Sequence, residues 1–269
     1  MQSIVTIVSL CRYRRLSFLD IMEENKPVFS IITVCYCARD IIAKTAHSVL
    51  SQTYPNIEYI VVDGASPDNT AEVVRSLSSD IRLISEPDKG LYDAMNKGLR
   101  MALGDYVWFL NAGDLLPSGD LVEAIANGIK SSPMGLPDVL YGDTMLIDAT
   151  GKEKGLRRLR PPFELQWRSF ADGMLVCHQA FIAKRLIAPP YNMKYRFSAD
   201  FDWCIRILQA ARNIVNTEMI LVHSLDDRGG ITYKNHKASL KERFLIMKHY
   251  YGSRKSIMKH LSFFFRRKR

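Results

Sequence analysis

The chain has 269 residues, 47% apolar and 24% charged, which suits one elaborated domain with a sizeable core and excludes a disordered chain. Fifteen Gly and eleven Pro exclude collagen-like character, no fixed period marks a solenoid, and no run of eighteen uncharged apolar residues marks a membrane-spanning helix. The net charge of +9 sits at one end: residues 234–269 hold twelve Lys/Arg against Glu242, leaving −2 on the preceding 233 residues, so the tail is expected to meet a partner with an anionic surface, such as membrane lipid or nucleic acid.

Residues 1–27 share little with the rest of the chain. Ser3–Leu10 is apolar and Arg12, Arg14 and Arg15 come after it, the reverse of a secretory signal, and Met22 is an alternative start. The cysteines are Cys11, Cys35, Cys37, Cys177 and Cys204, an odd set without C-x-x-C spacing. That disfavours a disulfide framework and a zinc site, and suggests a reducing cytoplasm. Cys35 and Cys37 are expected on one face of a strand.

From Phe29 strands and helices alternate. Strands are predicted at 29–36, 57–63, 81–86 and 105–110, and helices up to Gln52, over 70–78 (capped by Asp68 or Asn69) and over 91–103. Such alternation implies a parallel sheet whose ligands bind beyond the carboxyl ends of the strands, where Asp63, Glu86, Asp88, Asn111 and Asp114 fall. After Pro117 the pattern gives a helix (118–130), a strand (138–143), a hairpin turning at Thr150-Gly151 and a strand (173–183). A helix (198–211, Ser198 as N-cap), a strand (213–224) and helix from Tyr233 come next. Residues 28–233 read as one domain with a nucleotide-binding front and an acceptor-binding back, followed by a basic helical tail over 234–269.

Four acidic clusters carry candidate chemistry. Asp63 can accept a hydrogen bond from a base or hold its own loop. EPDKGLYDAMNKG (86–98) matches neither the dinucleotide fingerprint nor a P-loop. LNAGD (110–114) places a carboxylate on a tight loop after a buried strand, suited to a hard cation or to a simple turn. Asp200 and Asp202, at i and i+2 in SADFDWCIR, do not share a helix face, so one can project as a base while the helix dipole accounts for either.

Together SIITVCY, QTYPNIEYIVVDGASPDNT, SEPDKGLYDAMNKG, WFLNAGD, SADFDWCIR and GGIT resemble an inverting family-2 glycosyltransferase of the GT-A fold, over about residues 28–233. Within the family the chain resembles enzymes of bacterial exopolysaccharide, O-antigen and colanic acid assembly. The resemblance implies an α/β fold: a Rossmann-like, mostly parallel central sheet flanked by helices, with a smaller acceptor-side sheet and C-terminal helices. It implies a nucleotide-sugar site of Val34, Tyr36, Asp63, Asp88, Gly90, Asp93, Asn96 and Asn111, and Mg²⁺ or Mn²⁺ on Asp114. Asp200 would be the catalytic base with Asp202 beside it. His178, Arg228, Gly229 and Gly230 would face the acceptor. Two departures stand out: Asn111 replaces the usual Asp, and Cys37 the usual Asn.

The implied reaction is hexosyl or deoxyhexosyl transfer from a nucleoside-diphosphate sugar to a hydroxyl of a lipid-linked bacterial surface glycan. It would take place on the cytoplasmic face of the inner membrane. Trp167 and Tyr191 are candidate sugar platforms or packing residues, and His223 is a strand-end structural residue. The tail segment 254–269 has seven Lys/Arg and no acid, with Ile257, Met258, Leu261, Phe264 and Phe265 on one helical face. It reads as an interfacial helix or as a packed terminal helix. Two rivals are a nucleotidyltransferase, which would need a richer first loop than CYCARD, and a nucleic-acid-binding protein. The slightly acidic body argues against the second, and no nucleic-acid partner is expected.

Overall fold

The computed structural model describes residues 26–130, 135–226 and 235–266. Its centre is an eight-stranded sheet of order β3-β2-β1-β4-β7-β5-β6, with β8 also paired to β5. The front half comprises β1 (Phe29–Cys35), α1 (Arg39–Leu50), β2 (Ile57–Asp63), α2 (Thr70–Leu77), β3 (Arg82–Ser85), α3 (Leu91–Met101) and β4 (Tyr106–Phe109). Every residue of β1 is buried, as a central strand covered on both faces requires, and its pairings with β2 and β4 are parallel. Helix α3 lies tightly on the sheet at Gly98, where any Cβ would run into Ile32.

The back half comprises α4 (Leu121–Lys130), β5 (Val139–Ile147), β6 (Glu153–Leu156), β7 (Phe181–Lys184), α5 (Ala199–Ala210), β8 (Ile214–Leu225), α6 (His236–Tyr251) and α7 (Ser253–Arg266). β7 pairs antiparallel with β4 and β5, whereas β8 runs parallel to β5. These strands continue the front sheet and do not form the separate, smaller sheet expected. The β5–β6 hairpin turns over Asp148–Lys152, with Gly151 at φ 92°, as the Thr150-Gly151 signal suggests.

One element differs in kind. The run 173–183 is not one strand: only Phe181 onward enters the ladder, preceded by 3₁₀ turns at Trp167–Asp172 and His178–Ala180. Met174 and Val176 are buried two positions apart, which mimics a strand period without ladder pairing. The turn serves the site, because it fixes the Gln179 carbonyl on the indole N–H of buried Trp108 at 2.7 Å. Likewise β1 stops at Cys35; Cys35 is buried, while Cys37 is exposed in a left-handed conformation (φ 52°), so the two do not share a strand face.

Candidate active site

The carboxyl ends of β1 and β2 form the front of the cleft. Tyr36 is 65% exposed there, whereas Val34 is buried in the core. Between them lies Gly64: a Cβ at this position would come within 2.5 Å of Asp88 Oδ2 and 3.2 Å of the Tyr36 ring. Tyr36, Gly64 and Asp88 therefore form one patch that only a glycine allows. Asp88 Oδ1 accepts the Gly90 N–H at 2.8 Å, and Asp93 Oδ2 accepts the Lys89 N–H at 3.0 Å, so the two acids shape the loop leading into α3. Gly90 has φ 114°, a conformation that favours glycine. Lys97, not among the expected site residues, ties this loop down through the Pro87 carbonyl (2.7 Å) and Glu86 (3.1 Å).

Asp63 is fully buried and its oxygens are occupied. It accepts the Ser66 N–H (3.0 Å), the Ser66 hydroxyl and the Ser85 hydroxyl (2.7 Å). Its geometry is that of a loop anchor for 64–66 and β3, not of an acceptor presented to a base. Helix α2 is served instead by Asp68, which accepts the Thr70 N–H at 3.1 Å. Asn96 is also turned inward: its amide clasps the backbone of Tyr191 by accepting from N–H at 2.7 Å and donating to C=O at 3.1 Å. That clasp, rather than ligand contact, accounts for both polar ends of the side chain.

At the back, Asp200 sits in the first turn of α5, 14% exposed at its side chain. Tyr92, at the start of α3, donates its hydroxyl to Asp200 Oδ1 at 2.9 Å. His178 Nδ1 stands 3.6 Å from Asp200 Oδ2, and His178 Nε2 stands 3.5 Å from Asn111 Nδ2. Burial pushes the imidazole below its ordinary pKa, only partly opposed by Asp200, so His178 is neutral near pH 7. Burial, reinforced by Asp200, pushes the Tyr92 phenol up, so it remains a donor. Asn111 Oδ1 is buried without a hydrogen-bond partner among the described residues.

Asp202 has a different role from Asp200. It is buried, pairs with Arg206 at 2.8 Å and accepts the Tyr250 hydroxyl at 2.9 Å, which binds α5 to α6. Two positions along the helix separate the acid that meets Tyr92 and His178 from the one that anchors α6, as the i, i+2 spacing dictates. Ser198 precedes α5 but directs its hydroxyl to Ser239 and makes no cap bond. Tyr191 is stacked on Trp203 (4.8 Å) and Tyr92 (5.5 Å), and Trp167 on Tyr251 (5.6 Å), so both are packing residues here. His223 pairs with Glu153 at 3.6 Å. Arg228, Gly229 and Gly230 lie outside the described residues.

Asp114 is likewise buried. Its Oδ1 accepts the Leu225 N–H at 3.0 Å and its Oδ2 accepts Gln179 Nε2 at 2.9 Å. Burial pushes its carboxyl up to about 6, against the hydrogen bonds from Leu225, Ser224 and Gln179. The divalent ion that the resemblance implies does not fit this arrangement. A hard cation draws on exposed carboxylates, but the side chain of Asn111 offers one neutral oxygen and Gly113 has no side-chain ligand. Among the described residues no three His, Cys, Asp or Glu side chains converge. Asp114 latches the end of β8 to the loop after β4.

Comparison with known proteins places this cleft. Residues 30–187 match the model of "Glycosyl transferase family 2". The chain belongs to that family. A PGL/p-HBAD biosynthesis glycosyltransferase of Mycobacterium bovis is 30% identical to this transferase over 213 residues, covering 77% of this chain and 79% of the relative. The putative teichuronic acid biosynthesis glycosyltransferase TuaG of Bacillus subtilis is 41% identical over 97 residues, covering 35% and 38%. In fold, the family-2 chain is similar to S. aureus TarS 1–349 in complex with UDP-GlcNAc (TM-score 0.64, 16% identity, 88% of this chain and 73% of that one). It spans 41% of the longer TarS chain. It is also similar to the mannosyltransferase PcManGT of Pyrobaculum calidifontis with GDP-Man and Mn²⁺ (TM-score 0.58, 15% identity, 88% and 75%). The expected GT-A glycosyltransferase fold is thereby established.

Proposed function

We propose that this family-2 glycosyltransferase moves a sugar, with inversion, from a nucleoside-diphosphate sugar to a hydroxyl of a growing, lipid-linked glycan of the cell surface. The named roles of the mycobacterial and Bacillus relatives support the glycan class, and the UDP-GlcNAc and GDP-Man complexes of the fold neighbours support the donor class. One observation carries the assignment of the base. Asp63, Asp114 and Asp202 have both oxygens occupied by donors of the chain, whereas Asp200 Oδ2 accepts no hydrogen bond among the described residues and has His178 Nδ1 beside it at 3.6 Å.

In this reading the acceptor oxygen bonds to the anomeric carbon as the bond from that carbon to the diphosphate breaks. The acceptor proton passes to Asp200 Oδ2, and the nucleoside diphosphate leaves. A positioned carboxylate supplies ~10²–10⁴-fold by this route. Tyr92 holds Asp200 Oδ1, and neutral His178 flanks Oδ2 without adding charge. Tyr36, Gly64 and Asp88 form the donor side. The proton path runs through side chains of the chain itself, and no step is assigned to a divalent ion.

Peripheral membrane attachment belongs to the same proposal. No helix among the described residues is long and apolar enough to cross a membrane. On α7, however, Ile257, Met258 and Leu261 are 50%, 70% and 57% exposed amid basic neighbours, as an interfacial helix requires. The side chains of Phe264 and Phe265 lie outside the described residues. The test is a screen of UDP-, GDP- and dTDP-sugars against membrane extract as acceptor, with wild type and Asp200→Asn. Donor-dependent release of nucleoside diphosphate by wild type alone is expected. Equal release by the variant would remove Asp200 from the role of base.

A further inference from the structure

Behind Asp200 lies a cavity of about 430 Å³ between the 3₁₀ turn Trp167–Asp172, α5, α6 and α7. Its walls combine two chemistries. Phe201, Met247 and Phe263 supply apolar surface, and Arg158, Arg243 and His260 supply cationic or protonatable groups. Arg243 Nε is buried and meets no acceptor among the described residues. Leaving a guanidinium N–H unsatisfied is costly, so this donor is available to an acceptor that enters the cavity. The one acid of the lining among the described residues, Asp172, pairs with Lys259 at 2.5 Å. His260 directs Nδ1 to the Ser256 carbonyl at 3.0 Å, which leaves Nε2 for another partner.

We propose that this cavity binds an anionic amphiphile: the phosphate of a single-chain lipid at Arg243, with the start of its hydrocarbon chain against Phe201, Met247 and Phe263. Three observations fix that occupant. Charge complementarity selects an acid, as Asp172 is the one acidic wall residue among the described residues. The apolar walls select a chain over a hydrated sugar phosphate. The cavity reaches the surface at Leu240, itself 39% exposed, on the same two-helix unit that presents Ile257, Met258 and Leu261. Its lining includes Phe201, the next residue after Asp200 on α5. The inference deepens the function proposed above and rests on it only in identifying the amphiphile with the lipid phosphate of the acceptor.

Binding is measured with the full chain and decyl phosphate, decanol and inorganic phosphate, each titrated below the micelle threshold and read by thermal shift and calorimetry. Decyl phosphate is expected to bind, with decanol and inorganic phosphate each at least about tenfold weaker, because one lacks the anion and the other the chain. Arg243→Gln should weaken decyl phosphate about tenfold while leaving nucleoside diphosphate affinity unchanged. Arg158→Gln, an exposed change that spares the fold, should weaken it in the same direction. Unaltered binding of decyl phosphate by both variants would overturn the site. So would equal binding of inorganic phosphate, which would indicate an ordinary anion site. Selective decyl phosphate binding without sugar transfer to any lipid-linked acceptor would uphold the cavity and defeat the transfer reading. Transfer with unchanged lipid-acceptor KM in both variants would do the opposite.

Discussion

The Tyr92 hydroxyl meets Asp200 Oδ1 at 2.9 Å across 108 residues of chain. This bond joins α3 to α5, and it leaves Oδ2 as the reactive oxygen of the proposed base.

Tyr92→Phe should therefore lower kcat about tenfold with donor KM unchanged, since the ring packing on Tyr191 survives and only the positioning bond is lost. Asp200→Asn should lower kcat by about two to four decades, again at unchanged donor affinity. Steady-state kinetics of both variants check this; a rise in donor KM without loss of kcat would place the pair on the donor side.

Asp202 should behave differently. Removing it strands the part-buried Arg206 and the Tyr250 hydroxyl, so Asp202→Ala should cost roughly 1–3 kcal/mol of stability, seen as a lower Tm. Its kcat well below the transition should stay within a few-fold of wild type. A loss of kcat as deep as that of Asp200→Asn, at unchanged Tm, would exchange the two roles.

Much of this was legible in the sequence. The alternation of buried runs located β1 to β4 within a residue or two, because a strand covered on both faces must be apolar throughout. The i, i+2 spacing put Asp200 and Asp202 on different faces, while the choice of Asp200 and of the loop at 86–90 came from the family resemblance. What spacing could not supply was the direction of each carboxylate. Asp63, Asp114 and Asp202 are turned inward by Ser66 and Ser85, by Gln179 and Leu225, and by Arg206 and Tyr250, and most of these partners are distant in the chain. Tyr92 and Gln179 lie inside or beside the family motifs, yet neither residue type announces a partner 108 or 65 positions away.

Asp114 offers a pH test. Its folded pKa of about 6 lies above the ordinary value of 3.8, so the stability linked to its protonated form is fully present below 3.8 and is lost as pH rises through 6. The magnitude is on the order of 3 kcal/mol, at about 1.4 kcal/mol per pKa unit. Asp114→Asn removes the titration. The Tm of wild type minus that of the variant should thus fall between pH 4 and pH 7, and a flat difference would show that burial does not control this carboxyl.

Asp63 should act on the donor through its loop. Ser66→Ala and Ser85→Ala are expected to weaken nucleoside diphosphate binding in the same direction as Asp63→Asn, because all three loosen one anchored turn. Calorimetry decides it. If only the Asp63 change has an effect, the carboxylate reaches the base directly.

The exposed face of α7 should govern attachment. Replacing Ile257, Met258 and Leu261 together by Ser should abolish binding to anionic vesicles with little change in Tm, and high salt should release the wild-type chain in part. Persistent vesicle binding by the triple variant would place the contact elsewhere.

The inward clasp of Asn96 on Tyr191 has a further consequence. Together with Gly98 seated against Ile32, it pins α3 to the sheet and to the Tyr191 segment. The helix begins at the hinge-like Gly90 and carries Tyr92 in its first turn, so whatever settles the 86–90 loop also settles the base. Substrates should therefore add in sequence, the activated sugar first and the hydroxyl compound second. The released nucleoside diphosphate should compete with the sugar donor and not with the acceptor.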